Sequence, residues 1–362
     1  MNSRERVLAV LDRRLPDRCP IDFQCTARMA AILLDELKLG SAEELRKYLG
    51  CDFRGVGPAP RAQNVGSYYG HVFVRQPRED HFVDTWGITW RRMPMPSGDV
   101  FYEVVDAPLK DARSASEVQD YPFPSPPEDW DFSGIRQQAL QCQGYAVTGG
   151  TAGVFDDAWR MLGFQKMLTD VHANPAVVEA TLRRVCDYWL EYGRLVLDAA
   201  GGAIDVMWTY DDLGSQNGLL ISPEACRRFV IPLVKERTEL YHRYGARAAM
   251  HSCGGIAPVV GDLAAAGVDA LNPIQSAARG MDRRMLKAEF GDRLVFHGSV
   301  DQQRVLVPGT PGDVARDTRE CIDVLGRDGG YVVASTHDIE ADISVENVKA
   351  MYLTAQEYGC YR

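Results

Sequence analysis

Ser222-Pro223-Glu224 opens a helical pattern running to Tyr244, and Gly245-Ala246-Arg247-Ala248-Ala249-Met250-His251-Ser252-Cys253-Gly254-Gly255 follows it directly. Serine is a favoured helix N-cap and proline suits the first helical position, so the start is marked twice. Gly245 ends the helix, and the mostly apolar run Ala246–Met250 reads as a short strand. The same unit recurs along the 362 residues. Gly267 closes the helical pattern Ala257–Ala265 ahead of another strand, and Pro175–Leu197 and Pro311–Leu325 read as further helices. Eight core strands are expected, at about Cys19–Phe23, Asp52–Val56, Tyr145–Thr148, Ile204–Thr209, Ala246–Met250, Ala270–Pro273, Leu294–His297 and Tyr331–Ser335. Repeated strand–helix units need parallel pairing with right-handed crossovers. Eight of them suggest an α/β fold, a single (β/α)8 TIM-type barrel over residues 1–362. A doubly wound open sheet is the competitor, but no Gly-x-Gly-x-x-Gly follows the first strand.

One segment breaks the rhythm. The stretch between the second and third expected strands, about 60–140, is far longer than the usual connection of ~4–6 residues. Val65–Arg75, His81–Met93 and Val100–Val105 alternate and carry turn residues, which reads as an antiparallel insertion. The proline-rich run from Tyr121 to Pro127 then returns the chain to the barrel. On a βα loop such an insertion lies on the catalytic face, so it is expected to form a lid, a rim or a partner-docking element. Surface decoration is the plainer alternative.

Composition narrows the function classes. Apolar residues make up 46% and charged residues 25%, as in ordinary globular proteins. A net charge of −10 argues against nucleic acid and anionic membranes as partners. The nine cysteines include no Cys-x-x-Cys pair, which suits a reducing compartment, and no run of 18 apolar residues occurs. The N-terminus carries no apolar leader. A cytoplasmic protein is the expectation.

In such barrels the C-terminal strand ends build the site. Reading those positions alone selects Thr148–Gly153, Tyr210-Asp211-Asp212 with Gln216, His251 and Cys253, Asn272 and Gln275, His297, and His337. His-x-Cys at a strand end sends an imidazole and a thiol the same way, since residues two apart in a strand share a face. Imidazole plus thiolate is a donor pair zinc prefers. The bland reading is a buried thiol beside a satisfied histidine. His337 is expected to be the third metal ligand, with His297 as an alternative. Asp211 and Asp212 are candidates for proton handling, and Tyr210 for the pocket wall.

These residues together resemble the uroporphyrinogen decarboxylase superfamily, in its corrinoid-dependent methyltransferase branch. The likeness runs from Arg4-Glu5-Arg6-Val7-Leu8 and Pro16-Asp17-Arg18-Cys19-Pro20, through Asp211-Asp212-x-x-x-Gln216, Ile221-Ser222-Pro223-Glu224 and His251-x-Cys253-Gly254. It ends in Gly329-Gly330-Tyr331, the His337 loop and Glu346-Asn347-Val348-Lys349-Ala350-Met351. A single TIM-type barrel is what the resemblance implies. Two departures stand out. The decarboxylases carry an arginine-rich motif after the first strand, where this chain has Phe23-Gln24-Cys25-Thr26-Ala27-Arg28-Met29 with one arginine. Thiol-directed zinc methyltransferases generally place a cysteine where this chain has His337.

The resemblance implies a zinc-dependent methyltransferase that moves a methyl group from a small methylated compound to the cobalt of a separate corrinoid protein. Two neutral imidazoles and one thiolate would leave zinc net positive, which favours polarising an ether oxygen. Asp212 would protonate or orient the leaving group, and Trp86 in the insertion would contribute to the rim. Tyr210, Gln216, Asn272, Gln275 and His297 would contact substrate. The alternatives are methyl transfer from the corrinoid to a coenzyme M type thiol, metal-free quaternary-amine demethylation, and a decarboxylase-like lyase. A homodimer is left open.

Overall fold

The computed structural model describes residues 1–61 and 65–361. Residues 62–64 of the expected insertion lie outside that range. Seven parallel strands form one curled sheet of the TIM-barrel type. They are β1 Phe53–Gly55, β2 Ala146–Gly150, β3 Val206–Tyr210, β4 Arg247–His251, β5 Ala270–Asn272, β6 Val295–His297 and β7 Tyr331–Val332, neighbours in that order. Their register aligns the ends that matter: Tyr210 pairs with His251, and His251 with Asn272. Three polar side chains are thereby set abreast at one mouth.

The segment expected to be the first strand is not a regular strand. Pro20 has no N–H to give to a ladder, and the Ile21 N–H is taken by the Asp52 carboxylate at 2.8 Å. What remains is a seam. Asp22 N–H donates to Val333 O, Val333 N–H to Pro20 O, and Asp52 N–H to Ile21 O, so the segment touches both edges of the sheet.

The barrel interior is filled by alternate residues of the strands: Phe53, Ala146, Val206, Trp208, Ala249, Ala270, Val295 and Val332. Val7, Val10 and Leu11 of the helix Ser3–Leu11 join this cluster. Arg6 and Arg18 both bond the buried Asp52 carboxylate, at 2.7 and 2.8 Å. The opening sequence motifs therefore serve closure. The motif near the C-terminus is also structural: Asn347 Nδ2 donates to Leu306 O and Gly309 O at 2.9 and 2.8 Å.

The helix expected over Pro223–Tyr244 is continuous but widened. A π-turn spans Cys226–Val230 before Ile231–Arg243. Pro232 cannot donate to a carbonyl one turn back, and a wider turn accommodates that loss.

Between β1 and β2 the chain forms a five-stranded antiparallel sheet: Gly66–Tyr68, His71–Arg78, His81–Asp84, Thr89–Pro94 and Val100–Asp106, in that order. Its first hairpin turns on Tyr69-Gly70, both with positive φ (43° and 85°), the geometry of a tight two-residue turn. A Cβ at Gly70 would stand 2.9 Å from the Trp189 ring.

A buried charge network joins this sheet to the barrel helices. His71 Nδ1 meets Asp84 Oδ2 at 2.7 Å and its Nε2 meets Asp157 Oδ1 at 3.0 Å. The Trp90 and Trp189 indoles donate to Asp84 and Asp157, each at 2.8 Å. Among the described residues, no helix is long and apolar enough to cross a membrane.

Candidate metal centre and substrate cavity

Gly153 sets the upper edge of the site. A side chain there would collide with Tyr210 O, its Cβ only 1.9 Å away, so only glycine lets the helix Val154–Leu162 start against the end of β3. The Phe155 N–H then bonds Asp211 Oδ1 at 2.6 Å. Asp211 is fully buried, and its other oxygen accepts from Arg237 at 2.6 Å. Burial raises its pKa, while Arg237 and the Phe155 N–H oppose the rise. The two adjacent acids thus part ways: Asp211 ties β3 to the helix Ile231–Arg243, whereas Asp212 lines a cavity of about 520 Å3.

This separation predicts two different phenotypes. Asp211→Ala leaves Arg237 buried and unpaired and should cost about 3–5 kcal/mol of stability in urea denaturation. Asp212→Asn, at a half-exposed position, should stay within about 0.5 kcal/mol of the parent while metal content falls.

Asp212, His251 and Cys253 form the only such donor group among the described residues, with one ligand atom from each all within 4.8 Å of one another. Cys253 Sγ stands 3.4 Å from His251 Nε2, which lies 3.5 Å from Asp212 Oδ1. Ligand atoms at zinc's usual ~2.0–2.3 Å stand about 3.3–3.7 Å apart around a tetrahedral ion, so these two edges fit.

The tautomer of His251 follows from its neighbours. Asn272 Nδ2 donates to His297 O at 3.3 Å, which only an amide nitrogen can do, and this fixes the amide's orientation. Asn272 Oδ1 then faces His251 Nδ1 at 2.6 Å, so Nδ1 carries a proton and the neutral ring presents its lone pair at Nε2. The same amide donates to His297 Nδ1 at 2.8 Å, and His297 Nε2 bonds Asp22 at 3.1 Å. A carboxylate–imidazole–amide–imidazole chain therefore aims one lone pair at the donor group, as outer partners of metal-bound histidines do.

Gln275 holds the thiol side. Its Nε2 reaches Cys253 Sγ at 3.3 Å and Thr336 O at 3.2 Å, while its Oε1 accepts from Gly254 N at 2.8 Å and Gln216 Nε2 at 3.2 Å. The Cys253 N–H donates to Asp212 Oδ1 at 2.8 Å. Burial pushes the Cys253 thiol well above its ordinary pKa, and the carboxylates of Asp212, Asp156 and Asp338 add to the push. Asp156, within 3.4 Å of the Asp212 N–H, is raised to about 7 by burial, with Asp212 and Asp211 contributing against the pull of Arg160. Carboxylates gathered around one sulfur are a poor arrangement alone and a good one around a divalent cation.

His337 is not part of this donor group. It lines the cavity, and its Nδ1 lies 3.3 Å from Glu340 Oε1. The sequence alone pointed to His337 as the third donor; Asp212 is the carboxylate found in reach. Tyr210, Asn272 and His297 also line the 520 Å3 cavity, while Gln216 and Gln275 line a smaller one of about 160 Å3 beside it, with His337 common to both. Trp86 is fully buried, stacked on Trp189 with centroids 6.1 Å apart, and is not among the lining residues. Sequence reading did not select Asp22, Tyr69, Phe101, Asp156 or Arg160. Only the Tyr-Gly pair at 69–70 carried a local signal, that of a tight turn.

Comparison with known proteins places the chain among relatives. Residues 110–358 match the model of a family described as Uroporphyrinogen decarboxylase (URO-D). A curated protein, the methylated-thiol–coenzyme M methyltransferase of Methanosarcina mazei, is 25% identical over 203 residues, 56% of this chain and 51% of the relative. The match thus spans about half the length of that relative. A solved structure, a methyltransferase from Methanosarcina mazei, superposes with a TM-score of 0.69 at 16% identity, covering 99% of both chains.

Proposed function

The chain belongs to the uroporphyrinogen decarboxylase (URO-D) family, and from that premise we propose that it is a methyltransferase acting between a small methylated compound and the cobalt of a corrinoid carried by a separate protein. The names of the two Methanosarcina proteins support the reaction class. The observation that carries the reading is the bare His251 Nε2, placed with Cys253 Sγ and Asp212 Oδ1 within 4.8 Å at the edge of a cavity. Those three residues would hold zinc, which would supply Lewis acidity at the heteroatom that loses its methyl group. Asn272 and His297 keep the imidazole oriented, and Gln275 keeps the sulfur in place. Tyr69, Gly70 and Phe101 bring the antiparallel sheet to the cavity wall, where it serves as a rim that limits water.

The donor set alters the choice of substrate. Two imidazoles and a thiolate would leave a divalent ion net positive and favour an ether oxygen. With Asp212 in place of His337, thiolate and carboxylate cancel the ion's charge, and the bias toward oxygen disappears. A methylated thiol, the substrate in the name of the Methanosarcina relative, therefore stands beside the methyl ether that the charge count of two imidazoles had favoured. Porphyrin decarboxylation is not supported by the loop Phe23–Met29 with its single arginine.

The test is direct. Protein purified without chelator is assayed for zinc, then stripped, reloaded and mixed with a reduced corrinoid protein and either a methyl aryl ether or a methylated thiol. Loss of the cobalt(I) absorbance reports methylation. Less than about half an equivalent of zinc, or transfer untouched by stripping, would sink the metal reading.

A further inference from the structure

Cavities of about 300–1,000 Å3 hold ligands of drug-like size, and the 520 Å3 found here exceeds what a methyl group and its heteroatom need. That leaves room for a tail on the substrate, and the charges lining the cavity speak to its chemistry. Arg160 is matched by Asp157, its Nη1 donating at 2.6 Å, and His337 stands beside Glu340. Asp212 belongs to the donor group, and Asp156 accepts the Trp159 indole N–H at 3.0 Å. Asp338, half-buried on the loop after β7, has no cation within ion-pair reach among the described residues. Its bond is from the Tyr69 hydroxyl at 3.4 Å. Burial opposes ionisation of Tyr69, and the Asp338 carboxylate adds to that effect. The rings of Tyr69, Phe101 and Tyr210 line the same space. An unmatched carboxylate among aromatic rings is the chemistry that receives an organic cation.

We propose that the cavity accepts a methylated substrate with a cationic tail, an ammonium or alkylammonium group seated against Asp338 and the rings of Tyr69, Phe101 and Tyr210. The placement of its methylated heteroatom at Asp212, His251 and Cys253 rests on the methyl-transfer reading above; the tail site rests on the lining alone.

Choline and 3,3-dimethylbutan-1-ol share a shape and differ in the charge of one central atom. In calorimetric titrations of the full chain, choline should bind about tenfold more tightly than the neutral isostere. Asp338→Asn and Phe101→Leu should each remove most of that preference and leave the isostere's affinity unchanged. Equal affinities, no choline binding, or a preference that survives Asp338→Asn overturns the tail site. Repeating the titration on metal-stripped protein separates the two readings. A choline preference in a protein that shows no metal and no methyl transfer keeps the tail site and removes the reaction. Zinc-dependent transfer without a choline preference does the reverse.

Discussion

His251→Ala is expected to empty the metal site and abolish methyl transfer while leaving the fold intact. The imidazole is partly exposed at the mouth, and its packing is limited to the Tyr210 ring at 5.5 Å and the Asn272 amide, so its loss removes a donor while leaving the barrel core in place. Elemental analysis should show zinc affinity falling by well over the 10–100-fold typical of outer partners. Asn272→Ala provides the graded comparison. It leaves all three donors but frees the imidazole to rotate and to carry its proton on Nε2, so affinity should fall within that 10–100-fold range. A variant at His251 that keeps full zinc and full activity would remove the site from the chemistry altogether.

The second large effect concerns how the antiparallel sheet is held. His71 is fully buried between Asp84 and Asp157. Burial disfavours its charge, but the two carboxylates outweigh burial and raise its pKa from the ordinary 6.5 to about 9. The folded state thus binds this proton more tightly than the unfolded state. The contribution, roughly 3 kcal/mol, is complete below about pH 6.5 and is lost as pH rises through about 9. His71→Leu leaves Asp84 buried without a cation, with Arg160 alone remaining on Asp157, and should cost about 3–5 kcal/mol. Denaturation measured between pH 6 and 10 should show stability falling more steeply in the parent than in the variant. A parent whose stability does not change over that window would contradict a protonated His71.

Seven of the parallel barrel strands were legible because apolar runs, glycine stops and capped helices recur along the chain. The His-x-Cys at the end of β4 was legible because residues two apart on a strand must point together. The carboxylate beside that pair was not. Sequence order cannot say which of several acids and imidazoles at one barrel mouth stands nearest, and Asp212 reaches the site because Tyr210 and His251 pair in register. Asp211 and Asp212 look equivalent as letters, yet one faces Arg237 and the other the cavity, since adjacent residues leaving a strand diverge. Trp86 was misleading in the other direction: a tryptophan in a turn suggests a rim, but Asp84 draws its backbone N–H inward and its ring into the core. Asp22 was invisible because its importance comes entirely through two intermediaries, His297 and Asn272.

That last relation ties closure of the sheet to coordination. The seam Pro20–Asp22 joins β7 to the chain before β1, and the same short segment carries the carboxylate that begins the relay to His251. Should the seam part, His297 loses its acceptor, Asn272 is free to turn, and the His251 lone pair swings away from Cys253 and Asp212. If the proposed site holds zinc, local opening at this joint would release it ahead of global melting, and metal dissociation would become a readout of how firmly the cylinder is sealed.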